Sequence, residues 1–535
     1  MMAAVFVVTS LSLLLSVAAL DQTRTPYVDA LRKASTRIRA PFFLPGHKLG
    51  EGLPRSAESI LHHAARFDLP ELPELDNLFA PVGPLAEAQD LAAEAFGARR
   101  TWFLANGSSA GVIASILALV RTAPPTADGQ QRNLVILPRN VHRSAVHGLV
   151  HSGARPLWLL PETDTASGLV LNVDAHTTLR KALDAHAGEV ACVLLVSPTY
   201  EGVCADVETV SALCARQGVP LVVDEAHGAH FGLAEGLPES ALSAGANLVV
   251  QSTHKMLGAL SQAAMLHAGP VPEGWHGGAH ALDAAVGAAL ESVTSSSPSS
   301  LLLASLDAAR CDVGLRSRRG PTRLRRALAL ARRVRQAVEC QPSAFPPLES
   351  VRAGLPGCHG TDPLRLTFRA TGLEGGGYAL DDFLIDHFAV YCELPSPTHL
   401  TFVFGPGTRA VHARSLLAAL HSANLELGTA IPRESAPSAT SSIVDEALNS
   451  AAHDQVITPR EALSQRSEVV AADEAVGRLC AELVSAYPPG IPILYPGERV
   501  RSTSIELLHA VVQSGGEVIA ADPKLETLRV LVPPA

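Results

Sequence analysis

At 535 residues and about 150 per domain, the chain has the length for three or four units, or for one large α/β domain with smaller ones. Its 47% hydrophobic and 18% charged residues exclude a disordered chain and a multi-spanning membrane protein. The 42 basic against 52 acidic side chains, a net charge of −10, lack the cationic surface that sequence-independent nucleic-acid binding needs, so no nucleic-acid partner is expected.

The chain opens on an apolar stretch at residues 1–20 that ends in Ser16-Val17-Ala18-Ala19. It has the form of a secretory core with a small-residue cleavage site, yet no Lys or Arg precedes it. A cleaved targeting peptide, a buried helix and an extension without a role all stay open. A stable membrane span is not expected, because the stretch is short and carries Thr9, Ser10, Ser12 and Ser16. The protein is expected to be soluble, in the cytoplasm or an organelle.

An N-terminal arm follows over 21–60, including the turn-forming Pro41-Phe42-Phe43-Leu44-Pro45-Gly46-His47-Lys48. Periodicity predicts helices at 85–96 and 112–120, and apolar runs predict strands at 101–105, 134–137, 190–196, 220–223 and 248–250. Continuous apolar strands alternating with helices, such as 207–216, indicate a mostly parallel sheet covered on both faces, here spanning a major domain over 61–320. An arginine-rich amphipathic helix at 316–339 reads as a solvated covering face. It leads into a small α+β domain over 321–432, with strands at 364–368 and 400–404 and helices at 380–387 and 410–423. A linker is read at 433–456, most clearly at 433–442, and a C-terminal domain at 457–535. That last domain is expected to have a helix at 473–486, a turn-rich stretch at 487–497 and terminal strands.

The eight cysteines form no CxxC pair, so reduced thiols are expected, with neither a zinc ribbon nor a disulfide framework. Three other patterns carry chemistry. Gly107-Ser108-Ser109-Ala110-Gly111, between a strand and a helix, fits a nucleophile elbow with Ser109 as nucleophile. It equally fits an anion cradle at a helix N-terminus, or a plain tight turn. Asp224-Glu225-Ala226-His227, at the end of an apolar strand, resembles a nucleotide-hydrolysis motif, but no Gly-Lys pair exists to complete a P-loop. A metal on Asp224, His227 and His230 matches no established spacing, and none is expected. The third pattern is Gln251-Ser252-Thr253-His254-Lys255.

Only five lysines occur in the chain (Lys33, Lys48, Lys181, Lys255 and Lys524), and Lys255 follows an apolar strand. Poor solvation there lowers an ammonium's pKa and favours a nucleophilic amine. Anion cradle, carboxylate and amine together match pyridoxal phosphate, which has a phosphate, a ring nitrogen and an aldehyde. The 31 positions from Asp224 to Lys255 leave room for one strand–helix–strand passage between neighbouring strand ends.

With these residues in place, the chain resembles the Orn/Lys/Arg decarboxylase family, fold-type-I pyridoxal-phosphate enzymes. The matching stretches are Pro45-Gly46-His47-Lys48, Leu75-Asp76-Asn77-Leu78-Phe79, Asn106-Gly107-Ser108-Ser109-Ala110-Gly111, Arg139-Asn140-Val141-His142-Arg143-Ser144, Ser197-Pro198-Thr199-Tyr200-Glu201-Gly202, Asp224-Glu225-Ala226-His227-Gly228-Ala229-His230, Ser252-Thr253-His254-Lys255 and Tyr487-Pro488-Pro489-Gly490-Ile491-Pro492. They run in family order along nearly the whole chain after residue 20.

The resemblance implies an α/β fold of the PLP-dependent-transferase type, with smaller α+β domains behind the large one. It implies that Lys255 links to the cofactor, Asp224 pairs with the pyridine nitrogen and His142 stacks on the ring. Ser108, Ser109, Ser252 and His254 would bind or neighbour the phosphate, and His227 would lie at the ring edge. Ser296, in a stretch that lacks the family's aromatic at Ser300, would reach a partner subunit's phosphate, so at least a homodimer with shared sites is implied. The implied reaction is decarboxylation of arginine or lysine, then ornithine, to agmatine, cadaverine or putrescine in polyamine-related metabolism. Lys255 or His254 would act as general acid, and Glu393 is a candidate partner for the substrate's distal group. A serine hydrolase using Ser109, a catalytically silent cofactor-binding protein and an aminotransferase are the competing readings.

Overall fold

Strands of unbroken Val, Leu and Ile can be satisfied only where both faces of a sheet are covered, and such strands form the centre of this molecule. The computed structural model describes residues 20–533, apart from 165–168, 274, 276, 315–318, 341–342, 348–354, 371–372, 429–454, 488–490 and 514. The apolar segment at 1–19, the 433–442 linker stretch and the first residues of the arginine-rich helix lie outside the described residues. That helix is seen from Arg319 to Glu339.

Seven strands make the major sheet: β1 (Arg100–Leu104), β2 (Leu134–Pro138), β3 (Arg155–Leu159), β4 (Val190–Val196), β5 (Leu221–Asp224), β6 (Leu248–Gln251) and β7 (Ala264–Ala268). Their order across the sheet is β1-β7-β6-β5-β4-β2-β3. Only β7 runs against the others, antiparallel to both β1 and β6. Central residues such as Val135, Ile136, Val193, Val222 and Val249 are fully buried. The two sheet faces pack against separate apolar clusters, so the alternating side chains of each strand serve two cores.

Helix α1 (Gly107–Thr122) follows β1 after the single residues Ala105 and Asn106. It lies so close to the sheet that a Cβ at Gly111 would stand 2.7 Å from Leu104 Cδ1 and 2.9 Å from Val250 Cγ1. The Gly107–Gly111 stretch expected as a turn is therefore already the first turn of α1, and its second glycine is there for helix–sheet packing. The small domain places strands Arg365–Arg369, His399–Val403 and Leu394–Pro395 side by side and joins the same apolar cluster as one face of the major sheet.

The last segment corrects the sequence reading. No helix spans 473–486; Asp473–Ala475 is a single 3-10 turn, and Val484–Tyr487 is the central strand of a three-stranded sheet with Ile491–Leu494 and Glu517–Ile519. Gly477, at φ +85°, breaks any helix there, and the apolar spacing that looked helical serves Cys480 and Val484 in an extended segment. The helix of this domain is instead Ser502–Gln513, whose Ile505, Leu508 and Val511 enter the same core.

Candidate active site

The carboxyl ends of the parallel strands converge on one cavity of about 540 Å³, where open α/β sheets place their ligands. After β1 come Asn106, Gly107, Ser108 and Ser109; beyond β2 comes His142, and past β4 come Thr199, Tyr200 and Glu201. Strand β5 contributes Asp224 and His227, and β6 is followed by Ser252, His254 and Lys255. Eight of the nine residues expected at the cofactor thus share one wall system. The ninth, Ser296, is exposed and lies outside this lining.

Each is held for a local reason. Ser252 Oγ donates to Ser108 Oγ at 2.8 Å, tying the end of β6 to the start of α1. Asn106, the residue before α1, makes no side-chain cap, so the amides of the first turn face the cavity without one. His142 caps the next helix, Arg143–Ser152, its Nδ1 accepting from Ser144 N at 3.2 Å. Lys255 sits on the one-turn helix Thr253–Met256, anchored by buried Thr253 and Met256. Its Nζ lies 2.8 Å from His227 Nε2 and 5.5 Å from the centre of the Tyr200 ring.

Electrostatics follow from burial. Asp224, whose Oδ1 accepts from Ala226 N at 3.2 Å, is pushed above the usual carboxylate range by desolvation, against the pull of Lys255. Burial lowers the Lys255 ammonium below its ordinary value; Asp224 opposes this, Arg365 adds to it and Glu393 opposes it weakly. His142 is driven down to about 4, first by desolvation and then by Lys255 and Arg143. His254 moves the same way for the same first cause. A desolvated carboxylate, an amine and a histidine whose pKa values burial lowers, and a helix start without a side-chain cap form a donor set that fits pyridoxal phosphate.

Several residues escaped sequence reasoning. Tyr378, Ser396, Thr398 and His399 of the small domain and Ile491, Ile493, Leu507 and Val511 of the C-terminal domain close the cavity's outer side. Asp224 and Glu201 are its only acidic residues among the described lining. Glu201 approaches His399 at 3.7 Å, and Glu393 is exposed and outside the lining. Glu201 and Ile491 carried a sequence signal, each lying inside a matched motif; the others arrive from far along the chain. Ser109 lines the cavity, but among the described residues no histidine is hydrogen-bonded to it, so the base of a serine nucleophile is missing. His230 turns away from the cavity to lie 3.0 Å from Asp362, and the described residues contain no group of three ligands fit to hold a metal ion.

The sequence matches the family model described as Orn/Lys/Arg decarboxylase, major domain, over residues 25–354, and that of the C-terminal domain over 441–517. An arginine decarboxylase of Bacillus subtilis is 32% identical over 514 residues, covering 96% of this chain and 99% of the relative. The arginine decarboxylase of Bacillus anthracis is 31% identical over 514 residues, with 96% and 98% covered. The solved structure of lysine decarboxylase A from Pseudomonas aeruginosa superposes with a TM-score of 0.75 at 22% identity, over 95% of this chain and 80% of that one. The α/β fold expected from the sequence is the fold observed.

Proposed function

The chain belongs to the Orn/Lys/Arg decarboxylase family, and from that premise we propose that it is a pyridoxal-phosphate-dependent carboxy-lyase acting on a basic amino acid, arginine first. The observation that carries this reading is Lys255: a partly buried amine held 2.8 Å from His227, in a cavity that also offers Asp224 and the Ser108–Ser252 pair. The preference for arginine rests on the names of the relatives at 31–32% identity, against 23–25% for those named lysine decarboxylases.

The residues divide the work as follows. The amides of Gly107, Ser108 and Ser109 and the hydroxyls of Ser108 and Ser252 would hold the phosphate, with His254 beside it. Asp224 would accept the proton-bearing ring nitrogen, exchanging a desolvated carboxylate for an ion pair. His142, kept neutral by burial, would stack on the ring without adding a competing positive charge. Pyridoxal phosphate, when bound, supplies the sink for the electron pair left as CO2 departs. Lys255 or His254 would then return a proton to the substrate's Cα. Glu201 is the lining carboxylate left over to face the distal cation of the substrate. Ser296, exposed on this subunit, would complete the phosphate site of a second copy in a homodimer or larger assembly.

The test is to incubate the full-length protein with pyridoxal phosphate and each of arginine, lysine and ornithine, following CO2 and amine. Agmatine from arginine at the highest kcat/KM is the expected result, abolished by Lys255→Ala. Keto acid in place of amine, or turnover surviving Lys255→Ala, would overturn the reading.

A further inference from the structure

A neutral histidine donates from one ring nitrogen and accepts at the other. His227 has a partner at each: Arg365 Nη2 lies 2.7 Å from Nδ1, and Lys255 Nζ lies 2.8 Å from Nε2. A guanidinium has only donors and keeps its proton in proteins, so Nδ1 must accept. The ring proton is then on Nε2, directed at Lys255, and Nζ can receive it only as an uncharged amine. We propose that Arg365 is a positioning residue of the reaction, which fixes His227 in the Nε2–H tautomer and thereby holds Lys255 as the neutral amine that links to the cofactor. This rests on the reading of Lys255 given above.

Arg365 itself is firmly placed. It is buried, comes from the small domain's strand Arg365–Arg369, and does not line the cavity. Its Nη1 donates to the Tyr200 carbonyl at 2.7 Å, and its Nε lies 3.8 Å from Asp362. Burial alone would push the Asp362 carboxyl up, but His230 at 3.0 Å and Arg365 outweigh it and keep it ionised. The chain of contacts from His230 through Asp362, Arg365 and His227 to Lys255 therefore ties two domains to the amine. The remaining groups facing the pair are Tyr200, whose ring centre lies 4.1 Å from that of His227 and 5.5 Å from Lys255 Nζ, then His142 and His254 at His227, and Asp224 and Glu393 at Lys255. Burial first, then Arg365 and Lys255, pushes His227 far below its ordinary value, which removes the doubly protonated ring as an alternative. Asp224 pulls Lys255 toward the ammonium, so the Nε2–H donor works against a real competitor.

The apparent pKa of Lys255 can be read from the pH dependence of the rate at which pyridoxal phosphate attaches to the full-length chain freed of cofactor. Arg365→Gln should raise it by about one unit or more, and in a His227→Phe background the same substitution should move it by less than half as much. An equal shift with and without His227 would mean that Arg365 acts through its charge alone and would overturn the proposal, as would no shift. Because Arg365→Gln leaves Asp362 short of a partner and can fail to fold, a second measurement uses the unmutated protein. In 15N-histidine NMR of the cofactor-free chain, the resonances lost in His227→Phe should report a protonated Nε2 and an accepting Nδ1; an Nδ1-protonated or doubly protonated ring would overturn it. If no attachment occurs at Lys255 in the unmutated chain, the reading of Lys255 falls and this proposal with it. Attachment with an uncoupled shift removes only the role of Arg365.

Discussion

At the scale of single residues, the site is built from groups whose pKa values burial displaces. His142 is the plainest case. Its folded value, about 4, lies below the ordinary 6.5 of an exposed histidine, so proton uptake favours the unfolded chain. The stability it permits is complete above about pH 6.5 and falls as the pH drops through the interval down to 4. His142→Phe should therefore flatten the loss of Tm between those two pH values by about one proton's worth of slope. Parallel curves for the two proteins would show that His142 is already charged in the folded state. Lys255, Asp224 and the Ser108 and Ser109 pair were legible because each ends an apolar strand or opens a helix, where a polar side chain has few neutral explanations. Arg365 was not legible: its role depends on a histidine 138 positions earlier, and local sequence carries no trace of that pairing.

At the scale of elements, the buried strands were the easiest to read. The runs at 190–196, 220–223 and 248–250 match β4, β5 and β6 to within a residue or so, because unbroken apolar sequence bounded by helices has few other uses. Two elements misled for opposite reasons. The Gly107–Gly111 stretch has the letters of a nucleophile elbow, yet Gly107 at φ +77° starts α1 and Gly111 lets that helix approach Leu104 and Val250. In the C-terminal domain, residues 473–486 carry apolar side chains at helical intervals, but pairing with Ile491–Leu494 and Glu517–Ile519 draws 484–487 into a sheet. The competition was between local periodicity and long-range pairing, and only the second is invisible in a short window.

At the scale of the whole molecule, the cavity exists because three parts of the chain are locked together. One buried lock between the major and C-terminal domains is Arg139, beside Glu498 at 3.1 Å and 4.4 Å from the centre of the Tyr495 ring. Tyr495 donates its hydroxyl proton to the Arg139 carbonyl at 2.7 Å and packs its ring, tilted by 48°, against Trp158 at 4.3 Å between centres. Arg139 belongs to the same motif as His142, so docking the domain and placing the histidine proposed to stack on the cofactor share one loop. Glu498→Ala would leave a buried guanidinium without that carboxylate, and a loss of about 3–5 kcal/mol is expected in denaturant unfolding. An unchanged midpoint would remove this contact from the account. The central claim, that one lysine of five binds the cofactor, is tested most directly by borohydride reduction of the full-length protein loaded with pyridoxal phosphate, followed by peptide mapping. The account predicts a single modified residue, Lys255; modification at Lys33, Lys48, Lys181 or Lys524 instead, or at no lysine, would contradict it.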